Sequence, residues 1–466
     1  MTPPGGAPRV ADLREVALKA VHAAASDRVF LTEALRREFE RTQFPANLRS
    51  AASDLASGIV RRRLTLDHLL AGCSDRPLKR VNPLMLDILR LGAYEILFVE
   101  RVPTHAAVSE AVNLTRKLVQ PAFRGFTNAV LRNLTRQIES RSAGEPIAPS
   151  TRDLITPERR RVRFVRDVFP DPAADPAGYL ASAGGMPRWL AERWIANFGV
   201  ERAFETVDAS NSEPPVTIRV NAIKCEPEDL RIRLAERGIE TAPGGVTGSL
   251  RVLSPVELTA LPEFEAGEFY IQDEGAMAGP ILLAPRPAEK ILDLCAAPGG
   301  KATHLAELSR DRAEIYALDL SADRMLMVVA NARRLGIERL RTSVGDARKP
   351  SDKGKGWFHA ALADVPCSNT GVLRRRVEAR HRLSPAAIAE LTKAQADILG
   401  TALDSVRLGG RVVYSTCSIE PEENGELVRK VLAEQSLWRL ESENQMLPRV
   451  DGPDGAYVAL IVSERP

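Results

Sequence analysis

From Lys290 to Cys417 the sequence alternates short apolar runs with amphipathic repeats, and this alternation limits the fold more than any other feature. "KILDLCAA", "EIYALDL", "RTSVGD", "HAALADV" and "GGRVVYSTC" have the length and apolarity of strands. Between them, "ATHLAELS", "ADRMLMVVANARRLG" and "PAAIAELTKAQADILGTALDSV" carry apolar residues three and four apart, as helices do. Strands separated by whole helices are joined by crossovers, which predicts a mostly parallel, doubly wound sheet. Ligands of such sheets bind at the carboxyl ends of the strands.

At 466 residues the chain exceeds one core. Residues 1–140 read as an all-α bundle, through segments such as "LREVALKAVHAA", "PLMLDILRLGAYEILF" and "FTNAVLRNLTRQI", with Asn82 and Pro83 as a helix start. Over 141–178 the composition turns to Pro, Ala, Asp and Arg, with "SAGEPIAPS" and "FPDPAADPAG" as turn signals, so a linker is expected. "MPRWLAERWIANFG", "VTIRVN", "PEDLRIRLAERGIE" and "FYIQDEGA" predict a small α+β subdomain over 179–275. A Rossmann-like α/β domain then fills 276–466, making the fold class multidomain: all-α, then α+β, then α/β.

Five widely spread cysteines without CxxC or CxxH spacing argue against a disulfide framework and against a zinc site, so no metal is expected. No run of about 18 apolar residues occurs, and Met1 to Pro8 lacks a targeting pattern. The expectation is a cytoplasmic protein with reduced thiols and no membrane partner. The formal net charge is +3, but residues 1–145 hold 22 Lys and Arg against 15 Asp and Glu, an excess that permits an anionic partner. Arg61, Arg62, Arg63, Lys79 and Arg80 cluster near turns and read either as solvated surface or as RNA contacts.

Candidate site residues gather at the strand ends. In "DLCAAPGGK", Gly299 and Gly300 allow a tight turn and close approach of a ligand, but the spacing is neither GxGxxG nor a P-loop, because Ala302 follows Lys301. Asp319 closes the second strand, where it can accept from ribose hydroxyls or cap the next helix, and Asp346 suits an adenine amino group or a turn. Together they outline a nucleoside site that needs no phosphate, the shape of S-adenosylmethionine. Lys301 reads as a contact to the cofactor carboxylate or as solvated, and Cys295 as packing beside the cofactor.

Cys367 in "ADVPCSNTG" and Cys417 in "YSTCSIEPEEN" each end an apolar strand and each precede a serine. Free cysteines are commonly small buried hydrophobes. A pyrimidine C5, however, becomes nucleophilic only after a thiolate adds at C6, and a base must later remove the C5 proton. Two cysteines at neighbouring strand ends can divide these tasks, and spacing alone does not say which attacks. Asp364 is placed to bond the cytosine edge at N3 and the exocyclic amine. Arg374, Arg375 and Arg376 follow the Cys367 loop and suit an RNA backbone. Cys73 and Cys225 have no supporting neighbours and read as inert.

At these motifs the chain closely resembles the RNA 5-methylcytosine methyltransferases of the NOL1/NOP2/Sun group. "DLCAAPGGK", "ALDLSADRM", "GDAR", "ADVPCSNTGVLRR" and "YSTCSIEPEENGELV" follow that group's order, and "DRVFLTEALRR", "VPTHAAVSEAVNLTRK" and "GFTNAVLRNL" are similar to a NusB-type RNA-binding domain. The pairing resembles the bacterial RsmB (Sun) family. That resemblance implies methylation of a cytosine in 16S ribosomal RNA by a monomer that uses S-adenosylmethionine and does not bind DNA. It implies Cys417 as nucleophile, Cys367 as the sulfur assisting product release, and a cofactor site of Cys295, Ala296, Ala297, Pro298, Gly299, Gly300, Lys301, Asp319, Asp346 and Asp364. Asn369 stands where the family usually has Gly. Transfer RNA as substrate, or a non-catalytic role in RNA binding and ribosome assembly, are the alternatives.

Overall fold

The computed structural model describes residues 12–27, 29–143, 148–349 and 353–463; Met1 to Pro8 and the centre of "SAGEPIAPS" lie outside them. The chain forms two compact units, Met1–Glu213 and Pro214–Pro466.

In the first unit, helices Leu13–Ser26, Leu31–Thr42, Ala46–Arg61, Arg63–Ala71, Pro83–Phe98, Thr104–Leu118 and Arg124–Arg136 bury Leu18, Ile59, Leu66, Leu70, Ile88 and Leu131 completely. The helix at Pro83 starts as expected: Asn82 Oδ1 accepts from Met85 N at 3.2 Å, and proline occupies a position whose N–H would have no helical partner. Arg62 fits neither reading of the basic clusters. It is buried with its guanidinium 5.1 Å from the centre of the Phe98 ring, and burial, with Arg61 nearby, lowers its pKa to about 10. Lys79 and Arg80 are exposed.

The expected linker is instead folded. Strands β1 (Ile138–Ala143), β2 (Asp153–Ile155) and β3 (Arg160–Phe164) form an antiparallel sheet of order β1-β3-β2. "RRVRF" alternates at a period of two, so Val162 and Phe164 turn inward while Arg163 pairs outside with Asp153 at 2.9 Å. The turn-rich segments flanking these short strands dominate the composition and hide them. Phe164, Phe169 and Tyr179 make successive edge contacts, with ring centroids 5.9 and 6.1 Å apart. The helix Arg188–Phe198, with Trp194 fully buried, lies within this first unit.

The second unit opens with β4 (Val216–Val220), β5 (Thr241–Pro243), β6 (Ser249–Val252) and β7 (Phe269–Ile271), an antiparallel sheet of order β5-β6-β4-β7. Leu230 and Leu234 of helix Pro227–Glu236 pack on its Ile218, Leu250 and Phe269. Strands β8 (Lys290–Leu294), β9 (Glu314–Asp319), β10 (Leu340–Val344), β11 (Phe358–Asp364), β12 (Val406–Thr416), β13 (Trp438–Met446) and β14 (Ala456–Ser463) make the second sheet, of order β10-β9-β8-β11-β12-β14-β13. β10, β9, β8, β11 and β12 are parallel; β14 pairs antiparallel with β12, and β13 antiparallel with β14. Leu305 and Val328 from helices Gly300–Leu308 and Ala322–Leu335 cover one face, and Ile398, Leu399 and Val428 from Pro385–Ser405 and Gly425–Leu432 cover the other. Coverage on both faces is why the inner strands read as continuous apolar runs.

The two sheets of this unit are pinned together by charge. Arg219 on β4, 2% exposed, donates to Glu307 at 2.8 and 2.7 Å, to Thr303 Oγ1 at 3.1 Å and to the Gly300 carbonyl at 2.7 Å. Among the described residues no helix is long and apolar enough to cross a membrane.

Candidate active site

β8, β11 and β12 are adjacent and parallel, and Asp364 on β11 lies in register with Ser415 on β12. The chain leaves both strands at the same edge, and the next few residues bring Cys367 Sγ to 3.1 Å from Cys417 Sγ. Asn369 is left-handed, with φ of 61°. Its Nδ2 donates to the Cys367 carbonyl at 2.8 Å and its Oδ1 accepts from the Cys417 thiol at 3.3 Å. An asparagine therefore satisfies the positive-φ position and adds a contact that glycine cannot make.

The serine after each cysteine meets the same group. Ser368 Oγ and Ser418 Oγ both hydrogen-bond Glu423 Oε2, the latter at 2.5 Å, while Ser368 N and Gln395 Nε2 each donate to Oε1 at 2.9 Å. Glu423 is fully buried. "SIEPEEN" offers three glutamates, of which Glu420 and Glu423 are both buried, and only the fold shows that Glu423 meets the two serines.

On the cofactor side, Gly299 has φ of 104°, and a Cβ there would lie 3.1 Å from Val328 Cα. The turn delivers Lys301 to Asp364, with which it forms an ion pair. Burial opposes the charge on Lys301, but Asp364 outweighs it and raises the lysine pKa. Lys301 is therefore an ion-pair partner and not a solvated side chain. Asp364 Oδ1 also accepts from Ser415 Oγ at 2.8 Å, and Oδ2 carries no hydrogen bond among the described residues. Asp319 accepts from Ala297 N at 3.1 Å and Ser321 N at 3.0 Å; the helix cap is Ser321, which accepts from Arg324 N. Asp346 is bound by its own loop, with Arg348 donating at 2.9 and 2.7 Å, and Arg348 holds its pKa down at about 2. That is the geometry of a turn aspartate. Cys295 is half-buried at φ of 63°, and burial pushes its thiol up to about 12.

Asp293, also absent from the sequence reading, is fully buried on β8 with both carboxylate oxygens unpartnered. Burial raises its pKa well above the ordinary range, Asp364 and Asp319 add to that, and Lys301 opposes it. Three carboxylates thus converge with Lys301 on the glycine turn. The set fits a cofactor that brings positive charge and ribose hydroxyls, and Asp293 supplies an orphaned acceptor for it.

The arginine run departs from expectation. Arg374 is buried, donating to Asp454 at 2.5 Å and to the carbonyls of Arg449, Val450 and Gly452 at 3.0, 3.3 and 2.7 Å. It fastens a loop and is out of reach of RNA. Arg375 spans Asp454 and Asp273 at 2.5 and 2.9 Å, and Arg376 is exposed. Cys73 accepts from Gln137 at 3.3 Å, and Cys225 donates to the Glu268 carbonyl at 3.8 Å. No cluster of potential metal ligands occurs among the described residues.

A doubly wound sheet of this strand order, with acidic strand ends around a glycine turn, belongs to the methyltransferase class of Rossmann-like enzymes. The sequence matches the 16S rRNA methyltransferase RsmB/F family over residues 280–459, the NusB family over 11–136 and the RsmF/B-like ferredoxin-like domain over 186–259. It is 28% identical over 464 residues to the probable ribosomal RNA small subunit methyltransferase B of Bacillus subtilis (strain 168), covering 96% of this chain and 97% of that one. To the ribosomal RNA small subunit methyltransferase B of Klebsiella pneumoniae it is 32% identical, covering 88% and 89%. The crystal structure of PH0851 shares the fold, with a TM-score of 0.76 at 23% identity over 97% of this chain and 99% of that one. The chain belongs to the RsmB/F methyltransferase family.

Proposed function

We propose that this enzyme forms 5-methylcytosine in 16S ribosomal RNA, as a cytoplasmic monomer with S-adenosylmethionine as methyl donor. The observation that carries the reading is the pair of sulfurs 3.1 Å apart at adjacent parallel strand ends. Such a pair suits a base that must be attacked by one thiolate and released with help from a second. When bound, the cofactor supplies an electrophilic methyl group at the glycine turn. Asp293, Asp319 and Asp364 hold its polar groups, and the turn from Cys295 to Lys301 supplies backbone contacts, with Asp346 at the rim.

The Cys417 thiolate adds to C6, forming an S–C6 bond and making C5 nucleophilic. The free Oδ2 of Asp364 accepts from the exocyclic amine, and Lys301 offsets charge that develops on the ring. After C5 is methylated, Cys367 takes the C5 proton as a thiolate, having given its own proton to water. The C5–H electrons form the C5=C6 bond as the S–C6 bond breaks and Cys417 leaves. Arg375 and Arg376 border the entrance and are the remaining candidates from the arginine run for backbone contact.

The test is transfer from radiolabelled S-adenosylmethionine to 16S ribosomal RNA that lacks the modification, followed by nuclease digestion. Label in 5-methylcytidine at one position is expected. Label only in transfer RNA would move the substrate, and cofactor binding without transfer to any RNA would favour an assembly role.

A further inference from the structure

We propose that Glu423 is a positioning residue that fixes the two cysteine loops against each other and sets a buried negative charge behind the Cys367 loop. This rests on the proposed chemistry only in naming what the two sulfurs are for. The geometry itself concerns Glu423, Ser368, Ser418, Gln395 and the sulfurs.

One fully buried carboxylate accepts four hydrogen bonds, from Ser368 N, Ser368 Oγ, Ser418 Oγ and Gln395 Nε2. Gln395 Nε2 also donates to the Pro366 carbonyl at 2.9 Å, so the residues before and after Cys367 are both held. The carbonyl of Glu423 accepts from Tyr414 OH at 2.7 Å, which fixes the anchor to β12. Each serine directly follows its cysteine, so both loops are fixed to one point although they lie fifty residues apart in sequence.

The donors to Glu423 are neutral, so its negative charge is stabilised but not cancelled. Two thiolates 3.1 Å apart would repel, and the surroundings decide which sulfur carries the charge. The titratable groups acting on Cys367 are Cys417, Glu423 and Tyr414. The hydrogen bond that Cys367 donates to Cys417, then burial, then the charges of Cys417 and Glu423 push its thiol well above the ordinary value. Lys301, the nearby cation, acts on Cys417 instead. Glu423 holds Ser368 through both its N–H and its hydroxyl but Ser418 through the hydroxyl alone, so its charge is tied more closely to the Cys367 loop. Once Cys417 is bound to carbon, its hydrogen bond and charge no longer act on Cys367, which leaves burial and Glu423.

The experiment alkylates the full-length protein with iodoacetamide across a pH series, reading Cys367 and Cys417 separately by peptide mass spectrometry, without RNA or cofactor. In the wild type Cys417 should have the lower midpoint. Glu423→Gln keeps the shape and removes the charge, and should lower the Cys367 midpoint by about one pH unit while moving that of Cys417 less. Ser418→Ala keeps the charge and the Ser368 N–H bond to it while removing the link to the Cys417 loop, so it should move the Cys367 midpoint less than Glu423→Gln does. A Cys367 midpoint unchanged in folded Glu423→Gln would overturn the proposal. So would a wild-type Cys367 that ionises before Cys417, and that result needs no variant. If the midpoints behave as expected but no RNA is methylated, the chemistry assigned to the site falls and the role of Glu423 stands.

Discussion

Two thiols 3.1 Å apart and an asparagine that accepts from one of them make protonation the central property of this site. Under the proposed chemistry, Cys417→Ala should lower turnover on the order of a thousandfold or more, while cofactor binding, read by calorimetry, stays near wild type. Cys367→Ala should instead accumulate a covalent protein–RNA adduct on denaturing gels, because addition proceeds and elimination stalls. No adduct under single-turnover conditions would remove the release role from Cys367. The types of these residues were legible in the sequence, since "PCS" and "TCS" each end an apolar strand. Glu423 and Asp293 were not, because their significance lies in burial and in missing or shared partners, which a one-dimensional pattern does not carry. Arg374 shows the opposite error: a cation in a basic run suggests phosphate, yet three carbonyls and Asp454 enclose it.

Elements decide where such residues end up. The segment 447–455 is fastened to the Cys367 loop through Arg374 and through Gly455 N donating to the Gly371 carbonyl at 2.8 Å. Arg374→Ala leaves Asp454 with less compensation and should cost about 3–5 kcal/mol of stability in denaturant titration. The salt dependence of RNA binding should stay unchanged, whereas loss of a phosphate contact would reduce its slope. Helix Gly300–Leu308 carries a second consequence. His304 is buried with Nδ1 unpartnered, and burial, with Arg219 nearby, depresses its pKa well below the ordinary 6.5. The folded state resists a proton that the unfolded chain accepts, so stability is full above about pH 6.5 and falls as pH drops below it. His304→Leu should flatten that acid limb in thermal melts; an unchanged limb would place the titration elsewhere. Periodicity revealed this helix and the five parallel strands. It missed β13 because that edge strand exposes most of its residues and shifts register between Leu440 and Ser442, and it left β14 unread although "AYVALIVS" is apolar throughout.

At the scale of the whole molecule, α/β alternation predicted a mostly parallel, doubly wound sheet with its ligands at the carboxyl strand ends, while the strand order came from the fold. Over 141–178 the turn-rich composition masks short strands, and the compact units divide between Glu213 and Pro214. Parallel pairing brings the most general consequence. Asp364 faces Ser415 by register, while the chain between β11 and β12 travels through helix Pro385–Ser405 on the sheet's outer face. The strand register is therefore indifferent to added length between the Cys367 loop and that helix, and sensitive to the strands themselves. An added residue at the exposed start of the helix should be accommodated with activity retained. One added within Val412–Ser415 would turn alternate side chains to the wrong face and part the two sulfurs. A deep insertion scan read by methyl transfer should thus show a permissive interval bounded by two forbidding ones, a pattern by which parallel-sheet enzymes can change length in evolution without moving their chemistry.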